Sequence, residues 1–291
     1  PRQAATNDHT DAAGAFSVYV PPGTYDINIE PPVGSTDQVG HLNSIVVGGS
    51  TAVGTVTLAA GIPVSGHLSG PGGVPAANVN INAVETTSRV AQRIAHDATD
   101  DAGNFTVALA PGTYDFQYDP PACDGLAPTS QNGRTVAGAT SLPALQLVTG
   151  VHARGSVVDG LAVPVGSVDL DFYAAGTTDK LYTPNDKTAA DGTYDVLVPP
   201  GIFDVNFIPS SLTRFRPAAL PGSSLLATAT LPTVVLASGW LVTGIVRDTA
   251  TLAPVAGVTV DFFTPSSSTP LWTSHHLTAA DGSYSVVVDA G

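Results

Sequence analysis

The chain has 291 residues and a formal net charge of −14 at pH 7, from 24 acidic and only 10 basic side chains. Nucleic acids and anionic membrane surfaces bind clustered Lys and Arg, so this charge balance argues against both as partners. No apolar run reaches the roughly 18 residues of a membrane span. Strong helix formers are scarce, with two Lys, two Glu and no Met, whereas Gly, Pro, Asp, Thr and Val are abundant. This composition predicts an all-β protein.

One short phrase occurs four times in the chain. It reads TDAAGAFSVYV, TDDAGNFTVAL, TAADGTYDVLV and TAADGSYSVVV, and its glycines are spaced by 89, 89 and 90 residues: Gly14, Gly103, Gly192 and Gly282. A second series with a step of 89 residues is Gly66, Gly155 and Gly244. A constant period of this length indicates a tandem array of one domain type. Roughly 90 residues are enough for each domain to bury its own core.

The phase of the repeat predicts four units. Residues 61–148 and 149–237 form complete units, 1–60 form the back half of a unit, and 238–291 form the front half of another. The incomplete end units favour a window on a longer polymer of such units over a self-contained chain, with a processed product as the alternative. In both cases another stretch of chain, or another copy, completes the halves.

The third unit shows the expected elements in chain order. Residues 151–159 form a first strand, and 165–173 alternate apolar and polar side chains, as a strand with one buried face does. TYDVLV and FDVNF follow, separated by a Pro-Pro-Gly turn, and a loop carrying Arg214 and Arg216 leads to a closing strand at 233–237. Short strands between Gly and Pro turns predict a Greek-key β-sandwich of about seven strands. The aromatic side chains expected to be buried are Phe16, Tyr25, Phe105, Tyr114, Tyr194, Phe203 and Tyr284.

Residues 242–263, VTGIVRDTATLAPVAGVTVDFF, followed by TAADGSYSVVV, resemble the carboxypeptidase regulatory-like domains. These belong with the transthyretin-like and Cna-B-type sandwiches, so the resemblance implies a β-sandwich in every unit. The chain carries no peptidase. Cna-B-type domains often form Lys–Asn cross-links, but only the third unit contains lysine, so such links are not expected as a general feature.

Aspartates near the repeated turn are the best candidates for a site. Asp97, Asp100 and Asp101 precede Gly103, and clustered carboxylates on a loop are ligands that Ca²⁺ prefers. Asp at a β-turn also caps its own backbone amides, and this interpretation is favoured because no EF-hand spacing is present. An outward acidic stripe is expected on a later strand of the first three units, formed by Asp26, Asn28, Glu30, Asp115, Gln117, Asp119, Asp204 and Asn206. The stripe is interpreted as a solvated strand face, with cation bridging between rods as the alternative.

Nothing in the sequence predicts catalysis. It contains no CxxC, HExxH or GxSxG motif and no Ser/His/Asp set that recurs between units. No cofactor is predicted apart from the calcium candidate. Cys123 is interpreted as a lone loop thiol, with an intermolecular disulfide as the alternative. Surface glycans are a further candidate: Asn104 begins an Asn-Phe-Thr sequon, and the Ser/Thr-rich loop at 266–269 is a candidate for O-linked sugars.

These features predict a non-catalytic structural protein, extracellular or on the cell surface, that forms a fibre or stalk. The joints between units contain only two or three small residues, which predicts a stiff rod advancing roughly 30–40 Å per unit. The expected partners are other copies of the chain, joined head to tail or by strand complementation. The alternative is an array of carbohydrate- or matrix-binding modules from a secreted hydrolase or adhesin. That alternative requires exposed aromatics in register, whereas Tyr19, Tyr173 and Phe263 lie on different predicted strands.

Overall fold

The computed structural model describes residues 8–211, 213–265 and 267–289. Across these residues the regular structure consists of β-strands and two single-turn 3₁₀ helices, Pro71–Gly73 and Ala122–Asp124. The predicted all-β tandem array of sandwiches is confirmed. No helix in the described ranges is both long and apolar enough to cross a membrane.

The second unit contains seven strands, all within described sequence. The first unit, which precedes the second in the chain, contains strands β1 (Gly23–Ile29) and β2 (Gly40–Val47). The strands of the second unit are β3 (Ile62–Ser69), β4 (Asn80–Glu85), β5 (Asn104–Leu109), β6 (Gly112–Asp119), β7 (Thr129–Val136), β8 (Thr140–Ser141) and β9 (Leu145–Gln146). One sheet has the order β5-β3-β8, with β9 also on β3, and the other has the order β4-β6-β7. The closing strands β8 and β9 lie parallel to β3, whereas the other pairs are antiparallel.

The third unit repeats this topology. Its strands are β10 (Val151–Asp159), β11 (Asp169–Ala174), β12 (Thr193–Val198), β13 (Gly201–Ile208), β14 (Ala218–Leu225), β15 (Ala229–Thr230) and β16 (Val234–Leu236). One sheet has the order β12-β10-β15, with β16 also on β10, and the other has the order β11-β13-β14. In the fourth unit β17 (Trp240–Ile245) pairs with β18 (Ser283–Val288), and in the first unit β1 pairs with β2.

An aromatic ring seated on a glycine connects the two sheets of each complete unit. A Cβ on Gly66 would lie 2.5 Å from the Phe105 ring, and a Cβ on Gly155 would lie 2.3 Å from the Tyr194 hydroxyl, so only glycine leaves room for the ring. From that seat Phe105 meets Tyr118 of the opposite sheet, with ring centroids 6.1 Å apart. Each complete unit therefore has its own closed core.

The burial predictions are correct in the complete units and wrong at the two ends. Phe105, Tyr114, Tyr194 and Phe203 are at most 6% exposed. The other three predicted core aromatics are only half-buried: Phe16, Tyr25 and Tyr284. The reason is that, among the described residues, the two-stranded sheets of the first and fourth units have no opposing sheet.

A third strand in the second sheet was not predicted. The stretch expected to be a loop after Arg216 contains β14, which pairs with β13 along the sheet edge. Its Pro221-Gly222 pair suggests a turn, but Pro is tolerated on an edge strand and Gly at a bulge. The pairing shifts register between Phe203 and Val205, and Gly222 has φ +62°. The second strand also starts later than expected, at Asp169 rather than 165.

A buried threonine in the repeated phrase holds the edge of the core and was also missed. Thr188 Oγ1 donates to Val165 O at 2.8 Å and accepts from Val168 N at 3.0 Å. Thr99 and Thr278 make the same pair of bonds in their own units. The hydroxyl thus satisfies two backbone groups in a region that is closed to water.

The turn glycine tolerates no side chain in a complete unit, which provides a test of the fold. Gly192 has φ +76°, and a Cβ there would lie 2.5 Å from Val157 O. We expect Gly192→Ala to lower the free energy of unfolding of the third unit by about 2–4 kcal/mol, since strained φ and a backbone clash add. The matched control is Gly176→Ala, where φ is +72° but nothing lies within 4 Å; strain alone should cost about 1–2 kcal/mol. Urea denaturation measures both, and equal losses would contradict the tight turn.

Candidate functional site

The calcium candidates lie at the second copy of the repeated turn. Asp100 Oδ1 accepts from the amides of Ala102 and Asn104, at 2.9 and 2.8 Å. Asp101 is exposed and Asp97 is half-buried. In the described part of the chain no group of three or more His, Cys, Asp or Glu side chains is placed to hold a metal ion. The calcium site therefore stays a prediction, and the observed role of Asp100 is that of a turn cap.

The other copies of the turn use their aspartates in the same way. Asp191 accepts from the amide and hydroxyl of Thr193, and Asp281 does so from Ser283. These bonds to the charged carboxylate lower the pKa of Asp191 and of Asp281. The carboxylates are thus used in stabilising their own turns.

The acidic stripe has a structural role that the sequence did not reveal. Asp204 Oδ1 accepts from Gly222 N at 2.8 Å, and its Oδ2 accepts from Gly176 N at 3.0 Å. Asp26 and Asp115 accept in the same way from the bulges of β2 and β7, at 2.8 Å each. Each carboxylate therefore pins the bulge that the neighbouring strand makes. The stripe is consistent with a solvated strand face. The only feature of the sequence that could have pointed to the bond between carboxylate and bulge amide is the Gly or Ser at the bulge.

The joints between units are the most regular feature that the structure brings together. In each joint the amide of a glycine donates to a backbone carbonyl of the preceding unit: Gly61 N to Thr36 O at 2.8 Å, Gly150 N to Gly125 O at 2.8 Å, and Gly239 N to Arg214 O at 2.7 Å. A second bond, within the preceding unit, runs the other way between the same two segments: Gln38 N to Ala59 O at 2.8 Å, Ala127 N to Val148 O at 2.9 Å, and Arg216 N to Ala237 O at 2.9 Å. The same short antiparallel bridge therefore occurs three times, at steps of 89 residues.

The joint glycines have no room for a side chain. A Cβ on Gly150 would lie 2.7 Å from Leu197 and 3.3 Å from Ala127 N, and a Cβ on Gly239 would lie 2.5 Å from Val288 O. Gly61 is similarly enclosed, with Thr36 O at 2.9 Å. Consecutive units are therefore packed directly against the connecting segment. The joint glycines were not predicted from the sequence, although they also recur every 89 residues in it.

A side chain of the later unit also reaches back over two of the joints. His96 Nε2 donates to Pro31 O, and His275 Nε2 donates to Pro209 O, both at 2.9 Å. Asn185 holds the same position in the third unit, and these three residues share a φ of +53° to +58°. Two of the histidines, which are scattered in the sequence, therefore lie at joints between units.

The middle joint has a polar contact of its own. Burial raises the pKa of the Tyr182 phenol, and the Asp119 carboxylate of the second unit raises it further, while a hydrogen bond with Asn82 opposes these effects. Burial also raises the pKa of Asp119. Tyr182 of the third unit therefore lies near Asp119 and Asn82 of the second unit.

The remaining candidates are surface features. Cys123 is an exposed free thiol. Asn104 is exposed at the start of β5, and its Oδ1 lies 3.1 Å from His67 Nδ1. Of the loop at 266–269, residue 266 lies outside the described residues. Tyr19 is 82% and Phe263 50% exposed, whereas Tyr173 is half-buried, so these aromatics form no common platform.

Comparisons with known proteins found similarity in structure only. No protein-family model matches the chain, and no curated protein matches its sequence. The carboxypeptidase regulatory-like family is therefore not confirmed, whereas the broader expectation of a β-sandwich repeat protein is.

Three solved structures illustrate the level of similarity. A streptococcal ancillary pilin aligns at 12% identity over 76% of both chains, with a TM-score of 0.25. The shaft pilin SpaA from Lactobacillus rhamnosus GG aligns at 10% identity over 62% of this chain and 98% of its own, also at 0.25. The Bacillus anthracis TIE protein aligns at 9% identity over 96% of this chain and 58% of its own, again at 0.25. These scores are too low to establish a shared domain arrangement, so the fold rests on the strands and sheets described above.

The carboxylate at the β14 bulge predicts a pH dependence. The backbone bonds from Gly176 and Gly222 lower the pKa of Asp204. A folded-state pKa below the unfolded value gives stability that is present above the unfolded pKa and lost as pH falls through the folded one, here below about pH 4. We expect Asp204→Asn to be less stable than the natural protein at pH 7, with the difference shrinking towards pH 3. Urea midpoints at several pH values measure this, and Asp179→Asn in the same unit controls for the lost charge.

The joint glycines predict a local defect. We expect Gly150→Ala to weaken the bridge between the second and third units, because the added Cβ would lie 2.7 Å from Leu197 and 3.3 Å from Ala127 N, so both must shift. Hydrogen exchange of the residue 150 and Ala127 amides should accelerate at least tenfold, while the amides of β6 and β13 stay protected. Gly160→Ala, where nothing lies within 4 Å, is the control. Unchanged exchange at the joint would contradict the packing described here.

Proposed function

We propose that this protein is a non-catalytic structural protein, extracellular or on the cell surface, whose tandem sandwiches form a stiff fibre or stalk. The observation that carries the proposal is the joint that occurs three times with the same two backbone hydrogen bonds. The proposed boundaries between units lie near residues 60, 149 and 238.

Stiffness follows from how each joint is made. Two antiparallel backbone bonds tie the connecting segment to a loop of the preceding unit, so the segment is not free as a flexible linker is. Pro31, Pro120 and Pro209 occupy the same position in the first three units, and all three are buried. The joints at Pro31 and Pro209 add a histidine bond, and the middle joint adds the Tyr182 contact. Repeated joints of one geometry place successive units at one repeated angle, as a rod requires.

A non-catalytic role is supported by how the acidic residues are used. The carboxylates of Asp100, Asp191 and Asp204 accept backbone amides of their own turns and bulges. The net charge of −14 then favours a soluble, mutually repelling surface rather than a substrate cleft.

The rod predicts a long, thin particle. Small-angle X-ray scattering of the dilute 291-residue chain should give a maximum dimension of about 100–130 Å, since each unit advances roughly 30–40 Å. Gly150→Ala should broaden the distance distribution because it loosens one joint, whereas Gly160→Ala should not. A compact particle would contradict the rod. Saturable, specific binding on a glycan array would instead favour the carbohydrate-binding alternative.

A further inference from the structure

We propose that Asn132 is a site of spontaneous deamidation, and that the Asp115 carboxylate suppresses the reaction by holding the backbone amide that would attack Asn132. No other asparagine of the chain is followed by glycine. The reaction needs water but no enzyme and no bound group. The inference concerns a covalent change within the second unit, and it does not depend on the proposed fibre or stalk.

Deamidation at an Asn–Gly pair starts within the chain. The nitrogen of Gly133 gives up its proton and attacks Cγ of the Asn132 side chain, and the bond from Cγ to the side-chain nitrogen breaks. That nitrogen leaves as ammonia with the released proton, and a five-membered succinimide ring remains. Water then opens the ring at one of its two carbonyl carbons, which yields aspartate or isoaspartate. Glycine favours ring closure because it has no side chain and leaves the backbone mobile.

The structure leaves this pair open to water. Asn132 and Gly133 are both exposed. They line a groove of about 620 Å³ between the second and third units, to which the third unit contributes Thr178 and Lys180. A Cβ on Gly133 would meet nothing within 4 Å. Water can therefore reach the ring and ammonia can leave, so burial does not protect the pair.

Asn132 and Gly133 form the bulge of β7. The ladder partners on either side of the bulge are Gln131 with Phe116 and Arg134 with Tyr114. Two residues of β7 thus lie opposite Asp115 alone, and Gly133 has φ +66°. The extra residue of a bulge is left without a partner in the ladder. The ladder itself therefore does not hold the Gly133 amide.

The Asp115 carboxylate holds that amide instead. Gly133 N donates to Asp115 Oδ1 at 2.8 Å, and Arg89 Nη1 donates to Asp115 Oδ2 at 3.1 Å. The Asp115 side chain is only 18% exposed, so water competes little for these bonds. A charged acceptor makes the stronger hydrogen bond, and its negative charge opposes a second negative charge on the nitrogen. The attacking form of Gly133 is therefore disfavoured while the bond is made.

The same carboxylate occurs in the neighbouring units without the same risk. In the third unit Gly222 N donates to Asp204 Oδ1 at 2.8 Å, but the preceding Pro221 has no side-chain amide. In the first unit the bulge is Asn43–Ser44, where the serine side chain hinders ring closure. Only the second unit combines glycine at the bulge with asparagine before it, so the third unit provides a natural control.

Deamidation would damage the edge of the second core. Isoaspartate adds one atom to the main chain of β7 at the bulge. The adjacent Gln131 is buried, where it accepts from Tyr118 Oη at 2.9 Å and donates to Pro143 O at 3.1 Å. A longer strand beside Gln131 would draw this amide away from partners that a buried polar group needs. Asp115 thus protects the packing of this unit as well as the residue.

Peptide mapping by mass spectrometry tests the proposal on the full chain at mildly alkaline pH. We expect Asn132 in the folded chain to deamidate about tenfold more slowly, or slower still, than in the chain unfolded in guanidinium. Asp115→Ala should raise the folded rate by about tenfold or more, because ring closure no longer waits for this bond to open. The matched control is Asp204→Ala, which removes the corresponding carboxylate from the third unit and should leave the rate at Asn132 unchanged.

Moving the pair to the third unit tests whether the carboxylate is sufficient. Pro221→Asn places an asparagine before Gly222, whose amide Asp204 holds at the same distance of 2.8 Å. We expect position 221 to deamidate as slowly as Asn132 in the folded chain. Adding Asp204→Ala should then accelerate deamidation at position 221 by about tenfold, with no change at Asn132.

Hydrogen exchange separates the effect of this bond from general loosening. Exchange at Gly133 and deamidation at Asn132 both require release of the same N–H, so Asp115→Ala should accelerate both by a similar factor while the β6 amides stay protected. If Asp115→Ala unfolds the second unit, Arg89→Ala provides the test. The Arg89 side chain is 73% exposed, so its removal leaves the core intact and should raise both rates severalfold.

Three results would overturn the proposal. The first is a folded natural chain in which Asn132 deamidates as fast as in the unfolded chain. The second is a rate at Asn132 that neither Asp115→Ala nor Arg89→Ala raises, although exchange at Gly133 accelerates or stays unchanged. The third is equal acceleration of Asn132 by Asp204→Ala and by Asp115→Ala, which would assign the effect to general loosening of the chain.

Discussion

An aromatic ring seated on a glycine of the first strand holds each sandwich together. Phe105 on Gly66 and Tyr194 on Gly155 cross to Tyr118 and Phe207 of the other sheet, with ring centroids 6.1 and 5.8 Å apart. A Cβ at either glycine would collide with the ring, so the two sheets approach at a distance that these pairs set. In the fourth unit Tyr284 has the same seat on Gly244.

The polar residues of the repeat stabilise the places where the strands are interrupted. Thr188 satisfies two backbone groups at the edge of the core, Asp191 caps the turn, and Asp204 pins the bulge of β14. At each of these places the ladder of hydrogen bonds stops and backbone groups would otherwise be unpaired. An acidic surface of this kind needs no ligand to explain it.

The joints connect units whose hydrophobic cores are separate. The two complete units have separate core clusters, so each is stable through its own buried side chains. Neighbouring units meet instead through the joint backbone bonds, the enclosed glycines and the side chains that reach across the boundaries. This arrangement is that of tandem-repeat proteins, in which each unit interacts only with its neighbours.

The sequence by itself determined the period, the all-β class, the faces of the main strands and the aromatic core of the complete units. These are local properties, because alternation and turn chemistry act within a few residues. It did not reveal β14, since Pro221-Gly222 is typical of a turn until an edge position and a bulge accommodate it. Nor did it reveal that Asp204 pins that bulge, that Gly150 is enclosed, or that His96 and His275 lie in joints. Only the tertiary structure decided these, because each contact joins residues that are distant in the chain and meet only when sheets and units pack.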